Sequence, residues 1–306
     1  PVTANNTKEH KALNLEASKR SLVLLKNENH TLPLHAAKLH QIAVIGPNAD
    51  SREALKGNYY GDADRLTTVL EGIEDYLEDT DVEVLYSMGC TLCQSRHYSK
   101  GDQYIHEAGG LVKRSDAVVL CLGLDDTLEG EQSHRSSTLG CKGDKPDLLL
   151  PGKQMQLLEA VLAAAGDKPV ILVNMTGSAM DLNLAQEKCA AVIQAWYPGA
   201  RGGQAIAEMI FGEYSPAGRL PITFYKTLEE LPEFTDYSMK GRTYRYMEHD
   251  ALYPFGYGLS YTSFAYESLG EPEWQEDSLH FHVRVTNTGD MDADEVVQLY
   301  TIHKSP

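Results

Sequence analysis

No stretch of this 306-residue chain approaches the roughly 20 consecutive apolar residues that a membrane-spanning helix needs, so no membrane partner is expected. Basic residues are scarce. Lys and Arg number 27 against 44 Asp and Glu, a net charge of −17 that repels phosphate backbones and anionic lipid, and nucleic acid is likewise not an expected partner. Cysteine is sparse and odd in number: Cys90, Cys93, Cys121, Cys141 and Cys189 leave at least one thiol unpaired. Cys90 and Cys93 have CxxC spacing, but a second CxxC and a nearby histidine pair are missing, so no metal is expected. Cys121, ending an apolar run, and Cys189, beside Ala190-Ala191-Val192, read as small buried hydrophobes. Free thiols lean towards a cytoplasmic setting. The polar start, Pro1 to Asn6, lacks a charged-then-apolar signal pattern, although an opening in mid-segment leaves an upstream signal peptide open. Neither GxGxxG nor GxxxxGK[ST] follows the run ending Ile45-Gly46-Pro47, so no nucleotide cofactor is expected.

What is present is an alternation. With 42% hydrophobic residues the chain can bury a sizeable core. Residues 9–26 carry an interrupted helical periodicity and read as an amphipathic connecting helix. The run 41–45 closes on Gly-Pro, as an interior strand does before its loop. Helical patterns over 69–77, 105–115, 152–165 and 184–188 then precede apolar runs over 82–86, 117–121, 169–174 and 191–196, and a glycine-rich turn opens a helix over 204–211. Strands that are continuously apolar and alternate with helices imply a parallel sheet covered on both faces. The periodicity fades over 229–253, which reads as a surface connector. Leu279, Phe281, Val283 and Val285 then alternate with polar residues as in one half-buried antiparallel strand, and strand character resumes over 295–302. The expected division is a linker helix (1–35), an α/β sandwich (36–225), a connector (226–258) and a β-sandwich (259–306) that has too few strands to be complete.

The loop after residues 117–121 draws attention. It carries Glu129 and Glu131 among glycines, and loops at the carboxyl ends of strands in open α/β sheets are where chemistry gathers. A carboxyl group there is a candidate acid or base; the plain alternative is a solvated acidic loop. Asn58-Tyr59-Tyr60-Gly61, beyond the loop of the first strand, reads from the residues alone as a turn whose tyrosines close the domain. Trp196-Tyr197-Pro198-Gly199 reads as a structural corner, and Arg219 as an ion-pair partner.

Several separated motifs occur in a specific order. They are Ser21 to Asn27 with Leu32-Pro33-Leu34, Ile45 to Ala49, Gly57 to Gly61 with Leu70 to Ile73, Leu128 to Glu131, Asp147 to Pro151 with Gln154, Trp196 to Gly199, Gly218 to Phe224 and Tyr253 to Tyr261. This set resembles the C-terminal half of a family three glycoside hydrolase of the β-glucosidase or β-xylosidase type. The resemblance implies an α/β sandwich followed by a truncated fibronectin type III-like domain, with an N-terminal barrel of the same parent chain as partner. It also implies a β-glucoside or β-xyloside substrate and no cofactor. The barrel would supply the aspartate nucleophile and this chain the general acid/base glutamate. Glu131, with Gly130 before it and Arg135 four residues after, matches the family pattern, and Glu129 is the second candidate. Gln132 and His134 depart from that pattern, as does the insertion over 136–145. Asn58, Tyr59 and Tyr60 would bind substrate on the aglycone side. Without the barrel the fragment is expected to be inactive. The reading from another class is a non-catalytic module that binds carbohydrate or packs against a barrel.

Overall fold

The computed structural model describes residues 6–57, 60–61, 63–93, 101–129, 145 and 147–301. Six strands form one sheet in the order β1-β6-β5-β4-β2-β3. They are β1 (Val23–Asn27), β2 (Gln41–Ile45), β3 (Glu83–Ser87), β4 (Ala117–Gly123), β5 (Val170–Met175) and β6 (Ala191–Gln194). All neighbours are parallel except β1, which runs antiparallel to β6 along the edge. The chain winds outward from β2 to β3, returns to place β4 on the other side of β2, and continues through β5 to β6. The topological switch therefore lies between β2 and β4, and ligands of open α/β sheets bind outside the carboxyl ends of the strands at such a point.

Helices cover both faces. On one side α1 (Lys8–Ser21), α2 (Val69–Leu77) and α6 (Gly202–Ile210) pack over Val44, Val119, Val173 and Ile193. On the other, α3 (Gly101–Arg114), α4 (Gln154–Ala165) and α5 (Asn183–Lys188) pack over Ile45, Leu120, Leu172 and Val192. Each interior strand feeds two cores with alternate side chains, which explains why its sequence is apolar at every position.

Two sequence-based expectations need correction. The helix expected over 9–26 stops at Ser21, and residues 23–27 form β1 instead. Leu22 to Leu25 are all buried, so this aliphatic run gains more by closing the sheet edge than by extending a helix with few apolar positions. The strand expected over 191–196 ends at Gln194 because Trp196 takes a left-handed backbone, φ 56°.

Beyond residue 260 the structure holds two small antiparallel pairs. β7 (Phe264–Ser268) pairs with β10 (Val283–Asn287), and β8 (Glu273–Gln275) with β9 (Ser278–His280). The single strand expected over 279–286 is thus divided, since its two ends pair with different partners and the chain changes sheets at residues 281–282. Its apolar face is exposed rather than half-buried: Leu279, Phe281, Val283 and Val285 all keep more than a third of their surface in solvent. No strand forms over 295–301, the described part of the segment expected to resume strand character.

Candidate active site

The site is built on strand ends. At the end of β4, Gly123 (φ 153°) lies so close to β5 that an added Cβ would sit 1.9 Å from the Met175 carbonyl oxygen. Gln154, the first residue of α4 and fully buried, closes the end of the strand by accepting from the Gly123 N–H (2.8 Å) and donating to its carbonyl (2.9 Å). The chain then turns. Asp125 accepts from the backbone N–H and hydroxyl of Thr127 (3.0 and 2.6 Å), and its own carbonyl accepts from the Leu128 and Glu129 N–H groups (3.1 and 3.2 Å). Leu128 is buried in the core below, which leaves Glu129 on the rim.

Two neighbouring strand-end loops receive that carboxylate. After β5, the Gly177 N–H donates to Oε2 (3.0 Å) and the Ser178 hydroxyl to Oε1; after β6, the Tyr197 hydroxyl donates to Oε2. A Cβ on Gly177 would lie 2.8 Å from Glu129 Oε2 and 2.9 Å from Tyr197 Cε2, so glycine is the residue that permits this approach. The strained corner at Trp196 delivers Tyr197. The Trp196 indole N–H donates to the Ser21 carbonyl (3.0 Å), and its ring packs edge-on against Phe224, contacts that offset an unusual φ for a bulky residue. Burial, and after it the hydrogen bond to Glu129, pushes the Tyr197 phenol far above its ordinary range, so it keeps its proton.

Around Glu129 lies a cleft of about 420 Å³ lined by Lys145, Asp147, Leu148, Gly177, Ser178, Ala179 and Tyr197. Burial alone would raise the Asp147 carboxyl, but the Lys145 ammonium (3.0 Å) and the Leu149 N–H (3.0 Å) outweigh it and hold Asp147 below its usual range. A larger cleft, about 520 Å³, lies beside α1. Of its lining carboxylates, Glu16 and Asp294 are paired with Arg20, and Asp292 is the third. Among the described residues, the buried side-chain oxygens without a hydrogen-bond partner belong to Asn48, Asp126 and Asn174. Asn48 follows β2, Asp126 follows β4 and Asn174 is the penultimate residue of β5, so all three lie towards the carboxyl ends of the parallel strands.

The glycosyl hydrolase family 3 C-terminal domain model matches residues 22–261. The chain belongs to this family. It is 36% identical to a beta-xylosidase of Formosa agariphila over 96% of this chain and 40% of the relative. It is 39% identical to beta-D-xylosidase 1 of Arabidopsis thaliana over 87% of this chain and 33% of that protein. A solved β-glucosidase structure from Erythrobacter marinus superposes with a TM-score of 0.78 at 33% identity, covering 93% of this chain and 40% of that one. The chain therefore spans well under half the length of the family 3 relatives named here.

Within this family 3 domain the residues singled out from sequence divide clearly. Glu129 is on the rim; Glu131, Asn58, Tyr59 and His134 lie outside the described residues. Tyr60 is exposed, with the Lys56 ammonium 4.3 Å from its ring centroid. Arg219 pairs with Glu295 at 2.6 Å, an ion pair as expected. Sequence reasoning passed over Gly177, Ser178 and the chemical face of Tyr197. The available signal was a glycine and a hydroxyl directly after an interior strand. Among the described residues no group of three or more His, Cys, Asp or Glu side chains could hold a metal ion, and no helix is long and apolar enough to cross a membrane.

Proposed function

We propose that this chain is the acid/base-bearing portion of a retaining exo-β-glycosidase acting on terminal β-linked glucose or xylose, with Glu131 as the general acid/base and Glu129 as the second candidate. The nucleophile would lie on an N-terminal barrel of the same parent protein, and residues 259–306 would belong to a fibronectin type III-like domain. What carries this reading is the family pattern around Glu131, with Gly130 before it and Arg135 four residues after, in a chain whose residues 22–261 match the family 3 C-terminal domain. Glu129, at the carboxyl-end rim of the sheet and held by donors from two adjacent loops, is the alternative carboxylate.

A retaining enzyme needs one carboxyl group to attack the anomeric carbon and a second, about 5–5.5 Å away, to protonate the departing oxygen. Water then attacks the glycosyl-enzyme intermediate while the second group, now ionised, takes its proton. For the second candidate, Glu129, the partners suit both states. The Gly177 N–H can only donate, whereas the hydroxyls of Ser178 and Tyr197 can donate to a carboxylate or accept from a carboxylic acid.

The test uses the full-length parent protein with aryl β-glycosides of good and poor leaving ability. Glu131→Gln should depress hydrolysis of the poor leaving group by about 10²–10⁴-fold, the usual size of general acid catalysis, and spare the good one. If Glu129→Gln behaves so and Glu131→Gln does not, the assignment moves to Glu129. If neither does, the non-catalytic module is the correct reading.

A further inference from the structure

We infer that Glu129 is a positioning residue, a latch that fixes the base of the loop carrying Glu131 to the loops after β5 and β6; the inference rests on Glu131 being the acid/base. Donors from both loops converge on the one carboxylate. The Gly177 N–H (3.0 Å) and the Ser178 hydroxyl come from the loop after β5, and the Tyr197 hydroxyl from the corner after β6. Hydrogen bonds to an ionised acceptor are roughly twice as strong as neutral ones, which suits a latch at a loop base. The turn leading from β4 to Glu129 has no slack. Leu124, Asp125 and Leu128 are buried, and the Leu124 N–H donates to the Met175 carbonyl (2.8 Å).

The returning stem is tied to the same loop after β5. There the Leu148 carbonyl accepts from the Asp181 N–H (2.7 Å), and Asp147 gathers the Lys145 ammonium and the Leu149 N–H (both 3.0 Å). Residues 176–182 are themselves rooted in the core by Met180 and Leu182, both buried, and braced by the Thr176 hydroxyl donating to the Ser178 carbonyl (2.8 Å). The stretch between Glu129 and Leu148 is therefore held at both ends by one strand-end loop. Glu131 follows Glu129 by two residues, and two residues of chain reach at most about 7 Å. The seat of Glu129 thus limits where the next carboxylate along the chain works, and misplacement of about 1 Å in a catalytic constellation costs on the order of 10²-fold in rate.

The test is a double-mutant cycle in the full-length parent protein, read as kcat/KM for an aryl β-glycoside of poor leaving ability. Glu129→Ala should lower it by roughly tenfold or more on its own and by less than about twofold in a Glu131→Gln background, because a group that acts through Glu131 has nothing left to position once that carboxyl is gone. A general loss of structure would cost the same in both backgrounds. Equal falls in the two backgrounds, or no fall in either, overturn the latch. Should Glu129→Ala fail to fold, Ser178→Ala combined with Tyr197→Phe, which keeps the carboxylate and removes two of its donors, takes the same cycle with the same outcomes. Glu131→Gln by itself separates the claims: where it lowers the rate by about 10²–10⁴-fold and the cycle is additive, only the latch falls, whereas a Glu131→Gln enzyme as fast as the parent removes both.

Discussion

At the scale of single residues, Tyr197 and Gly177 have separable jobs. Tyr197→Phe deletes one hydrogen bond to Glu129, a loss of about 0.5–3 kcal/mol that should lower the melting temperature by a few degrees and, if the loop shifts with it, kcat/KM of the parent enzyme by roughly tenfold. Gly177→Ala should also cost activity without unfolding the domain, because the added carbon meets the ends of two side chains rather than backbone. A change in thermal midpoint as large as that of a core substitution would refute this. The thiols are passive. Burial pushes Cys90 and Cys189 up to about 12, and Cys121 higher still, so at pH 8 all three are protonated and poor nucleophiles. Mass spectrometry after alkylation at pH 8 should find these three unmodified in folded protein and labelled in denaturant.

At the scale of elements, helix and strand identity follows from pattern, and contact geometry decides the rest. α2 begins with a reciprocal cap: Thr68 accepts from the Glu71 N–H (3.2 Å), and Glu71 accepts from the Thr68 N–H (2.9 Å). It then lies against the start of α6, so near that a Cβ on Gly203 would sit 1.8 Å from the Thr68 carbonyl oxygen. Gly203→Ala should therefore destabilise the domain by at least the ~1–3 kcal/mol usual for overpacking, read as a lower urea midpoint, because backbone rather than a flexible side chain must move. β1 shows how tertiary context overrides local pattern: an aliphatic run that would continue a helix is drawn into the only vacant edge next to β6.

At the scale of the whole molecule, the chain is proposed to carry the acid/base without the nucleophile, and the family relatives are more than twice its length. The isolated chain should hydrolyse no aryl β-glycoside, and turnover by it above a buffer blank would refute the division of labour proposed here. The terminal segment is tied to the main body by Arg219 with Glu295, largely buried, and by Arg20 with Asp294. Yet Leu279, Phe281, Val283 and Val285 each keep more than a third of their surface in solvent, so a strand pattern readable in sequence was not enough to make a buried strand. Alternation specifies which side chains share a face, and only a second layer can bury them.

The alternation of β2 to β6 with helices and the two-faced burial of the sheet were legible in the sequence, because each depends on local periodicity, whereas β1 was not, because its aliphatic run fits a helix as well as a strand. The partners of Glu129 were not. Ser178 and Tyr197 stand 49 and 68 residues away along the chain, and they meet Glu129 only because β4, β5 and β6 are laid side by side in parallel. That adjacency follows from how the sheet is wound, which no local pattern encodes, and it turned Tyr197 from a structural corner into a hydrogen-bond donor at the site.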